Sequence, residues 1–444
     1  MPSEMNKGAG VGSAARKTTW TLTTYFAEGL PYMIVRFLSS VFFTDIGLRE
    51  AYLGFLNFLA IPWNIKFIWA PIVDIFGTKK GWLIRVQFLI GLLVLIIGAL
   101  SFRFSETGGI SWLSGLLSNE MTLVVITVLF IILAFLSATH DIAIDAYYLE
   151  ALSSEKDQSL YSGLRVLAYR VAVIYAKSVL VIVAAVTNWF MGFGLGGITM
   201  LALYLFHLLY LRGTDKPDMF LQKGMDKIIR LKLNTRFYKE AFSTYLMQDR
   251  VYLVLSFIVL YKLGDEILFS MNTPFLLREL GMTKAQLGWV SGILGTVFAI
   301  AGSLWGGKWI SSRGLKRAIW PITLIMNATI LAYALLAWNK PDPSTTGGLA
   351  LIALINCYEQ VAAGLGTAVL IVFLMNRCQP DYKAAHYAVG SAIMSLGGTM
   401  MGGFGGVFVE NFGYLNLFLL GFLSSIPSMI LLFWVPMTPR GQRE

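Results

Sequence analysis

The stretch Gly47-Leu48-Arg49-Glu50-Ala51-Tyr52-Leu53-Gly54 returns 234 residues later as Gly281-Met282-Thr283-Lys284-Ala285-Gln286-Leu287-Gly288, with four identities in eight. A second element, Asp74-x-x-Gly77-x-Lys79-Lys80, returns as Ser311-x-x-Gly314-x-Lys316-Arg317 at an offset of 237. Two such matches, both between the first and third apolar runs of their half, mark an internal duplication. Outward from them the chain is a succession of apolar runs. Of 444 residues, 56% are apolar and 14% charged, where a soluble domain carries about a quarter charged. Phe88 to Leu100, Leu123 to Leu136, Val171 to Val186 and Leu415 to Val435 are almost free of charge, and a helix that crosses a bilayer needs roughly 20 such residues. The predicted helices run over 20–44, 50–73, 82–104, 122–150, 160–187, 189–211, 251–277, 285–311, 317–338, 347–376, 383–409 and 412–436. The one long polar stretch, 212–250, divides six from six. Its basic residues alternate with Met225, Ile228, Ile229, Leu231, Leu233 and Phe237, a pattern suited to a helix lying on the membrane surface.

The net charge of +10 would suggest nucleic acid in a soluble protein, but its placement reports topology instead. If the N-terminus is cytoplasmic, the loops and tails on that side hold 23 Lys and Arg against 5 on the other, the five being Arg49, Arg103, Arg278, Lys284 and Lys340. That is the positive-inside bias, with both termini in the cytoplasm. The apolar run that begins near residue 20 has no small-residue cleavage site, so it reads as a retained helix and not a signal peptide. The expected organisation is a cytoplasmic tail 1–19, a six-helix bundle 20–211, a basic cytoplasmic linker 212–250, a second bundle 251–436 and a tail 437–444. The expected fold is therefore all-α and polytopic, with twelve transmembrane helices in two parallel six-helix halves, the major facilitator architecture. The element Asp74-x-x-Gly77-x-Lys79-Lys80 resembles that superfamily's G-x-x-x-D-R-x-G-x-R-R loop, departing from it at Ala70 and Ile75.

Enzyme-like motifs fail on context. Gly302-x4-Gly307-Lys308 begins like a phosphate-binding loop, but Trp309 stands where Ser or Thr would hold magnesium and no strand precedes it. Gly192-x-Gly194-x-x-Gly197 has dinucleotide spacing yet lies between membrane helices. The six glycines at 397, 398, 402, 403, 405 and 406 read as close helix contact. His140, His207 and His386 are scattered, and Cys357 and Cys378 form no pair with ligand spacing. With neither a metal cluster nor a nucleophile beside a base, no enzyme, metal, cofactor or nucleic-acid partner is expected. A membrane sensor is the rival of a different class. It would ordinarily add a soluble output domain, for which 212–250 is too short.

The informative residues are charges within apolar runs, because each is costly in hydrocarbon and must face a partner or a wet cavity. Helix 1 carries Glu28, Tyr32 and Arg36 at four-residue steps, with Pro31 expected to bend it. Helix 2 carries Lys66, helix 4 carries Asp141 and Asp145 one turn apart and then Glu150, and helix 5 carries Arg165, Tyr169, Arg170 and Lys177. Helix 7 packs Lys262, Asp265 and Glu266 within a turn, and helix 10 carries Tyr358 and Glu359. The plain alternative is that these groups neutralise one another, above all Lys262 with its two local acids. Two carboxylates one turn apart repel when both are charged, so one of Asp141 and Asp145 is expected to hold a proton. Proton coupling is accordingly expected at Asp141, Asp145, Glu28 or Glu359. Binding of a small anionic solute is expected at Arg36, Lys66, Arg165, Tyr169, Arg170, Lys177, Tyr32, Lys262, Asp265, Glu266 and Tyr358. A cytoplasmic gate is expected at Asp74, Lys79, Lys80 and Glu150.

A closer resemblance rests on four segments. Ile65-Lys66-Phe67-Ile68-Trp69-Ala70-Pro71-Ile72-Val73-Asp74 resembles the K-F-x-W-[SA]-P-x-x-D run of the AmpG-like muropeptide permeases. Ala138-Thr139-His140-Asp141-Ile142-Ala143-Ile144-Asp145-Ala146-Tyr147 is similar to that family's S-Q-D-I-x-x-D-A-[WY] helix, with Glu150 where the family has Asp. Ala168-Tyr169-Arg170 falls on its G-Y-R element and Ala27-Glu28-Gly29-Leu30-Pro31 on its S-G-L-P start, with Ala168 for Gly and Glu28 for Ser. The likeness covers helices 1 to 5, and acetyl-CoA transporters and some siderophore permeases share parts of it. It implies a symporter in the bacterial inner membrane, surrounded by lipid, that uses protons to import peptidoglycan fragments such as anhydro-muropeptides. A siderophore or acyl-coenzyme anion is the other substrate reading.

Overall fold

The structure, a computed structural model, describes residues 3–104, 118–152, 154–213, 240, 242–379 and 383–437, with side chains from 14 onward except 74, 75, 155 and 383–385. Among these residues there is no strand. The helices are α1 (3–45), α2 (50–75), α3 (Lys79–Ser101), α4 (Asn119–Ala151), α5 (155–186), α6 (Trp189–Tyr210), α7 (251–279), α8 (284–313), α9 (Leu315–Asn339), α10 (Thr346–Asn376), α11 (Lys383–Gly403) and α12 (Gly405–Leu431). Among the described residues ten of them are long and apolar enough to cross a membrane, so the expected count of twelve crossings is not confirmed. Those that fall short are α7 and α11. Lys262 breaks α7 into pieces of 11 and 12 residues, and α11 is rich in glycine and small residues. The expected surface helix in 212–250 lies largely outside the described residues.

Helix ends follow local chemistry. Ser118, Ser154, Asn188, Thr283 and Thr345 cap α4, α5, α6, α8 and α10, each side chain accepting from a backbone N–H of the first turn. The repeat noticed in the sequence reappears as backbone geometry. Gly47 and Gly281 have φ of 88° and 75°, and Gly77 and Gly314 have 77° and 76°. Only glycine enters that region without strain, so the two halves turn at matching positions. Helix α1 differs from expectation by extending back to Ser3 through the polar tail. Arg16 donates to the Tyr210 carbonyl at 2.6 Å and Lys17 pairs with Asp157 at 2.9 Å, so this stretch is held against α6 and α5.

The chain forms two compact units, Met1–Leu38 with Ile68–Arg230, and Ser39–Phe67 with Leu231–Glu444. In unit 1, Trp20, Tyr25, Tyr147, Tyr148, Leu83 and Ile144 share one core. Helices α1 and α5 each contain a π-helical turn, Ile34–Leu38 and Tyr175–Leu180, and these turns pack on one another. In unit 2, Phe257, Tyr261, Ile322, Leu365 and Phe373 form the core. A Cβ on Gly302 would collide with the Val361 carbonyl, and one on Gly406 with that of Glu50. The phosphate-loop look-alike and the α12 glycines are thus sites of close helix contact.

The residues joining α1 to α2 are tied down within unit 2. Arg278 donates to the Thr44 carbonyl at 3.0 Å and to Glu50 at 3.2 Å, and also to the carbonyls of Phe43 and Leu48. Lys284 pairs with Asp45 at 2.8 Å, and Arg49 with Glu410 at 2.9 Å. Positions 278 and 284 are the repeat equivalents of 44 and 50 at the offset of 234. The duplicated loops therefore bind each other through reciprocal positions.

Candidate functional site

The charges singled out in the sequence divide between the units. Glu28, Tyr32, Arg36, Asp141, Asp145, Arg165, Tyr169, Arg170 and Lys177 belong to unit 1, and Lys66, Lys262, Asp265, Glu266, Tyr358 and Glu359 to unit 2.

In unit 1 the structure assembles one cluster from α1, α4 and α5. An Asp145 carboxylate oxygen accepts from the Arg165 guanidinium at 2.6 Å and from the Tyr25 hydroxyl at 2.8 Å. The guanidinium lies over two rings, 4.4 Å from the centre of Tyr25 and 4.5 Å from that of Tyr148. Those rings meet edge to face at 5.7 Å, and Tyr148 is anchored by its hydroxyl to the Gln158 carbonyl at 2.5 Å. Arg165 is thus held by one charge-assisted bond and two aromatic faces, each face worth about 0.5–2 kcal/mol. The pair is not sealed: the Arg165 and Asp145 side chains keep 33% and 41% of their exposure. Glu28 is near enough to act electrostatically on Tyr25, Arg165 and Tyr169, and Asp141 is buried one turn before Asp145.

Close packing sets this geometry. A Cβ on Gly29 would lie 3.0 Å from the Tyr169 ring, so glycine there lets α1 approach α5. Tyr32 faces Tyr169 at 6.4 Å between ring centres. Lys177 lies 4.7 Å over the Phe37 ring, and both it and Arg36 sit in the paired π turns, a feature frequent at functional sites. Among the described residues Arg170, half-buried beside Tyr169, forms no ion pair.

Unit 2 is organised otherwise. Lys262 lies 3.7 Å from Asp265 and donates to Thr367 at 3.2 Å, so it pairs with one of its two local acids. Glu266 packs on Gly398. Tyr358 is exposed, with its hydroxyl on the Ile325 carbonyl at 3.3 Å. Lys66 is half-buried, and Glu359 is wholly buried and accepts from Gln360 at 2.9 Å.

Two of the expected gate residues bond backbone carbonyls within unit 1. Lys79 donates to the Val73 carbonyl at 3.0 Å, and Lys80 to the Leu208 and Leu211 carbonyls at 3.2 and 2.6 Å. A cation at the C-terminus of α6 meets unsatisfied carbonyls and the negative end of the helix dipole, so Lys80 ties α3 to α6 inside unit 1. The Asp74 side chain lies outside the described residues, and Glu150 is exposed.

The sequence model of the family described as Acetyl-coenzyme A transporter 1 matches residues 21–188, and that of the Major Facilitator Superfamily matches residues 254–444. The D-xylose-proton symporter superposes with a TM-score of 0.63, covering 97% of this chain and 100% of its own at 12% identity. The fold is that of the major facilitators. Among curated relatives, the anhydromuropeptide permease of Escherichia coli (strain K12) is 26% identical over 414 residues, 92% of this chain and 77% of its own. A putative transporter, AmpG 4, of Rickettsia conorii is 23% identical over 418 residues, 92% of this chain and 94% of its own. These matches support a membrane transporter, and the AmpG-like resemblance holds over nearly the whole length of the chain.

Sequence reasoning passed over three groups that take part in these contacts. Tyr148 completes the aromatic cover of Arg165, and its position three residues after Asp145 was the available signal. Thr367 completes the Lys262 site without any local signal. Arg278 had been counted only as a loop charge, although its alignment with Thr44 in the repeat pointed to the contact they make.

Proposed function

We propose that the chain imports an anionic peptidoglycan fragment, an anhydro-muropeptide or a solute of similar size and charge, across the bacterial inner membrane. Import is by alternating access, coupled to protons, with both termini cytoplasmic. The observation that carries this reading is the Asp145–Arg165–Tyr25 cluster. A guanidinium bonded to a carboxylate, yet still open on one side, can exchange that carboxylate for one on a substrate. A proton on Asp145 removes the charge that holds Arg165, so protonation and anion binding favour each other. This is the linkage a symporter needs. Arg170 supplies a second cation, and Tyr32 and Tyr169 offer rings for sugars. Glu28 and Asp141 are the neighbouring carboxyls able to share the proton. The name of the Escherichia coli relative supports the muropeptide substrate. The match of 21–188 to the acetyl-coenzyme A transporter family favours an acyl-coenzyme anion as the second reading, since that half holds the cluster.

The test is uptake of labelled anhydro-muropeptide into proteoliposomes under an imposed pH gradient, with an acyl-coenzyme A and a neutral disaccharide as competitors. Asp145→Asn is expected to abolish uphill uptake and to leave counterflow exchange, which needs no net proton movement, partly intact. Full uphill uptake by the variant would remove Asp145 from coupling. Competition by the neutral sugar equal to that of the muropeptide would remove the anionic substrate.

A further inference from the structure

The duplicated turns use their cations differently. Lys79 and Lys80, just past Gly77, bond backbone carbonyls inside unit 1. Their equivalents at the offset of 237, Lys316 and Arg317, stand just past Gly314 in the first turn of α9, and both are exposed. Among the described residues neither side chain forms a hydrogen bond or an ion pair, and the same is true of exposed Lys308 near the end of α8. Arg313, the last residue of α8, is also exposed and forms no ion pair among them. Between Glu279 and Asp342 the chain holds no acidic residue. Four cations thus stand within ten residues, with no acid on either helix of the hairpin to neutralise them. Like charges so close repel one another, and an external anion relieves that repulsion.

The setting says what kind of anion. Trp305, Trp309 and Arg313 follow at four-residue steps and so share one face of α8. The two indoles stack with ring centres 5.7 Å apart, and the Arg313 guanidinium lies 5.8 Å from the centre of the Trp309 ring. Leu304 and Trp305 are 71% and 54% exposed, on a helix long and apolar enough to cross a membrane. Indoles settle at the boundary between acyl chains and headgroups, which sets the cations just beyond them at headgroup level. Clusters of four or more Lys and Arg beside a membrane helix attract anionic lipid, and a guanidinium forks onto phosphate oxygens. An acidic protein docking here would have no use for the exposed apolar border.

We propose that Lys308, Arg313, Lys316 and Arg317, bordered by Trp305 and Trp309, bind the headgroup of an anionic phospholipid. The site lies within unit 2, apart from the Asp145–Arg165 cluster, and does not depend on what the chain transports. Binding to the folded state alone raises stability with ligand concentration, so no substrate is needed to detect it. The purified full chain is melted in a neutral maltoside detergent with added phosphatidylglycerol, phosphatidylcholine, inorganic phosphate or hexaglutamate. Its midpoint is expected to rise with phosphatidylglycerol and to stay in place with the other three. One Lys or Arg beside an anionic surface contributes about fivefold in affinity. Lys316→Gln with Arg317→Gln is therefore expected to raise the phosphatidylglycerol concentration for half the shift by about 25-fold. Lys156→Gln with Arg212→Gln, which removes two exposed cations from unit 1, is expected to leave it unchanged. Equal midpoints in phosphatidylglycerol and phosphatidylcholine would overturn the proposal whether or not the variants fold. An equal rise with inorganic phosphate would make the site one for free anions, and an equal rise with hexaglutamate one for an acidic protein; either overturns it. So would equal losses in the two double variants, which would trace the effect to net charge.

Discussion

The fourth helix of each half, α4 in unit 1 and α10 in unit 2, carries that half's polar interior, and the two do so by different means. On α4 the group is an ion pair, Asp145 with Arg165, partly open and covered by aromatic faces. On α10 it is amide and carboxyl, Asn356 and Glu359, without exposed surface. A partly exposed pair retains water and can exchange partners, whereas a sealed group must be satisfied where it stands. The duplication preserved the turns, as the matching glycines at 47 and 281 show, and left the interiors free to diverge. The pair in unit 1 is therefore left able to exchange partners, and the group in unit 2 is closed on itself.

The strongest attack on that contrast is to remove one cation from each unit. Arg165→Ala takes away a charge-assisted bond and two ring contacts, so uptake per folded molecule is expected to fall by about 100-fold, the equivalent of about 3 kcal/mol. Arg165→Lys should recover little, because an ammonium lacks the flat face that lies over Tyr25 and Tyr148. Lys262→Met instead leaves Asp265, only 4% exposed, beside an apolar side chain. It should lower the melting midpoint more than it lowers uptake per folded molecule. Uptake by the Lys262 variant as poor as by the Arg165 variant would end the division of labour between the units.

A smaller effect separates ties within unit 2. Arg278 and Arg49 both bind acids at the α1–α2 connection, but the Arg278 side chain is 25% exposed and also holds three backbone carbonyls, while that of Arg49 is 75% exposed. Arg278→Ala leaves those acceptors unmade and should cost about 1–3 kcal/mol of stability. Arg49→Ala should cost under about 1 kcal/mol, the range of an exposed pair. Equal melting midpoints for the two variants would mean that the carbonyl contacts carry no weight.

What the sequence made legible followed from cost. Asp145 and Arg165 stood out because charge in an apolar run is expensive, and they were found bonded. Gly47 and Gly77 stood out because they recurred, and their positive φ explains why. The contacts of Lys80 were not legible because its partners, the carbonyls at the end of α6, lie about 130 residues away and leave no side-chain signature. The division of α7 at Lys262 was hidden for another reason. The same three charges fit a continuous helix with i,i+3 pairing, and only the backbone tells the two apart.

The smallest expected effect sets a fully solvated carboxylate against the interior ones. Asp342, in the turn between α9 and α10, accepts from the Ser344 backbone N–H at 2.8 Å, while its own carbonyl accepts from the Thr345 hydroxyl, also at 2.8 Å. The Ser344 hydroxyl and N–H stabilise the charged form and hold the carboxyl below its ordinary value. A depressed folded value gives stability that is fully present above the ordinary carboxylate range and is lost as pH falls through the folded value. Because the group is exposed, the loss is confined to the turn. Amide exchange at Ser344, corrected for its intrinsic pH dependence, should quicken on acidification while the melting midpoint stays where the interior groups set it. Asp342→Asn should show the faster exchange at every pH, since an amide oxygen is the weaker acceptor. If the variant's midpoint dropped as far as that of Arg278→Ala, the turn would share in the cooperative unit, and exposure would no longer separate weak ties from strong ones in unit 2.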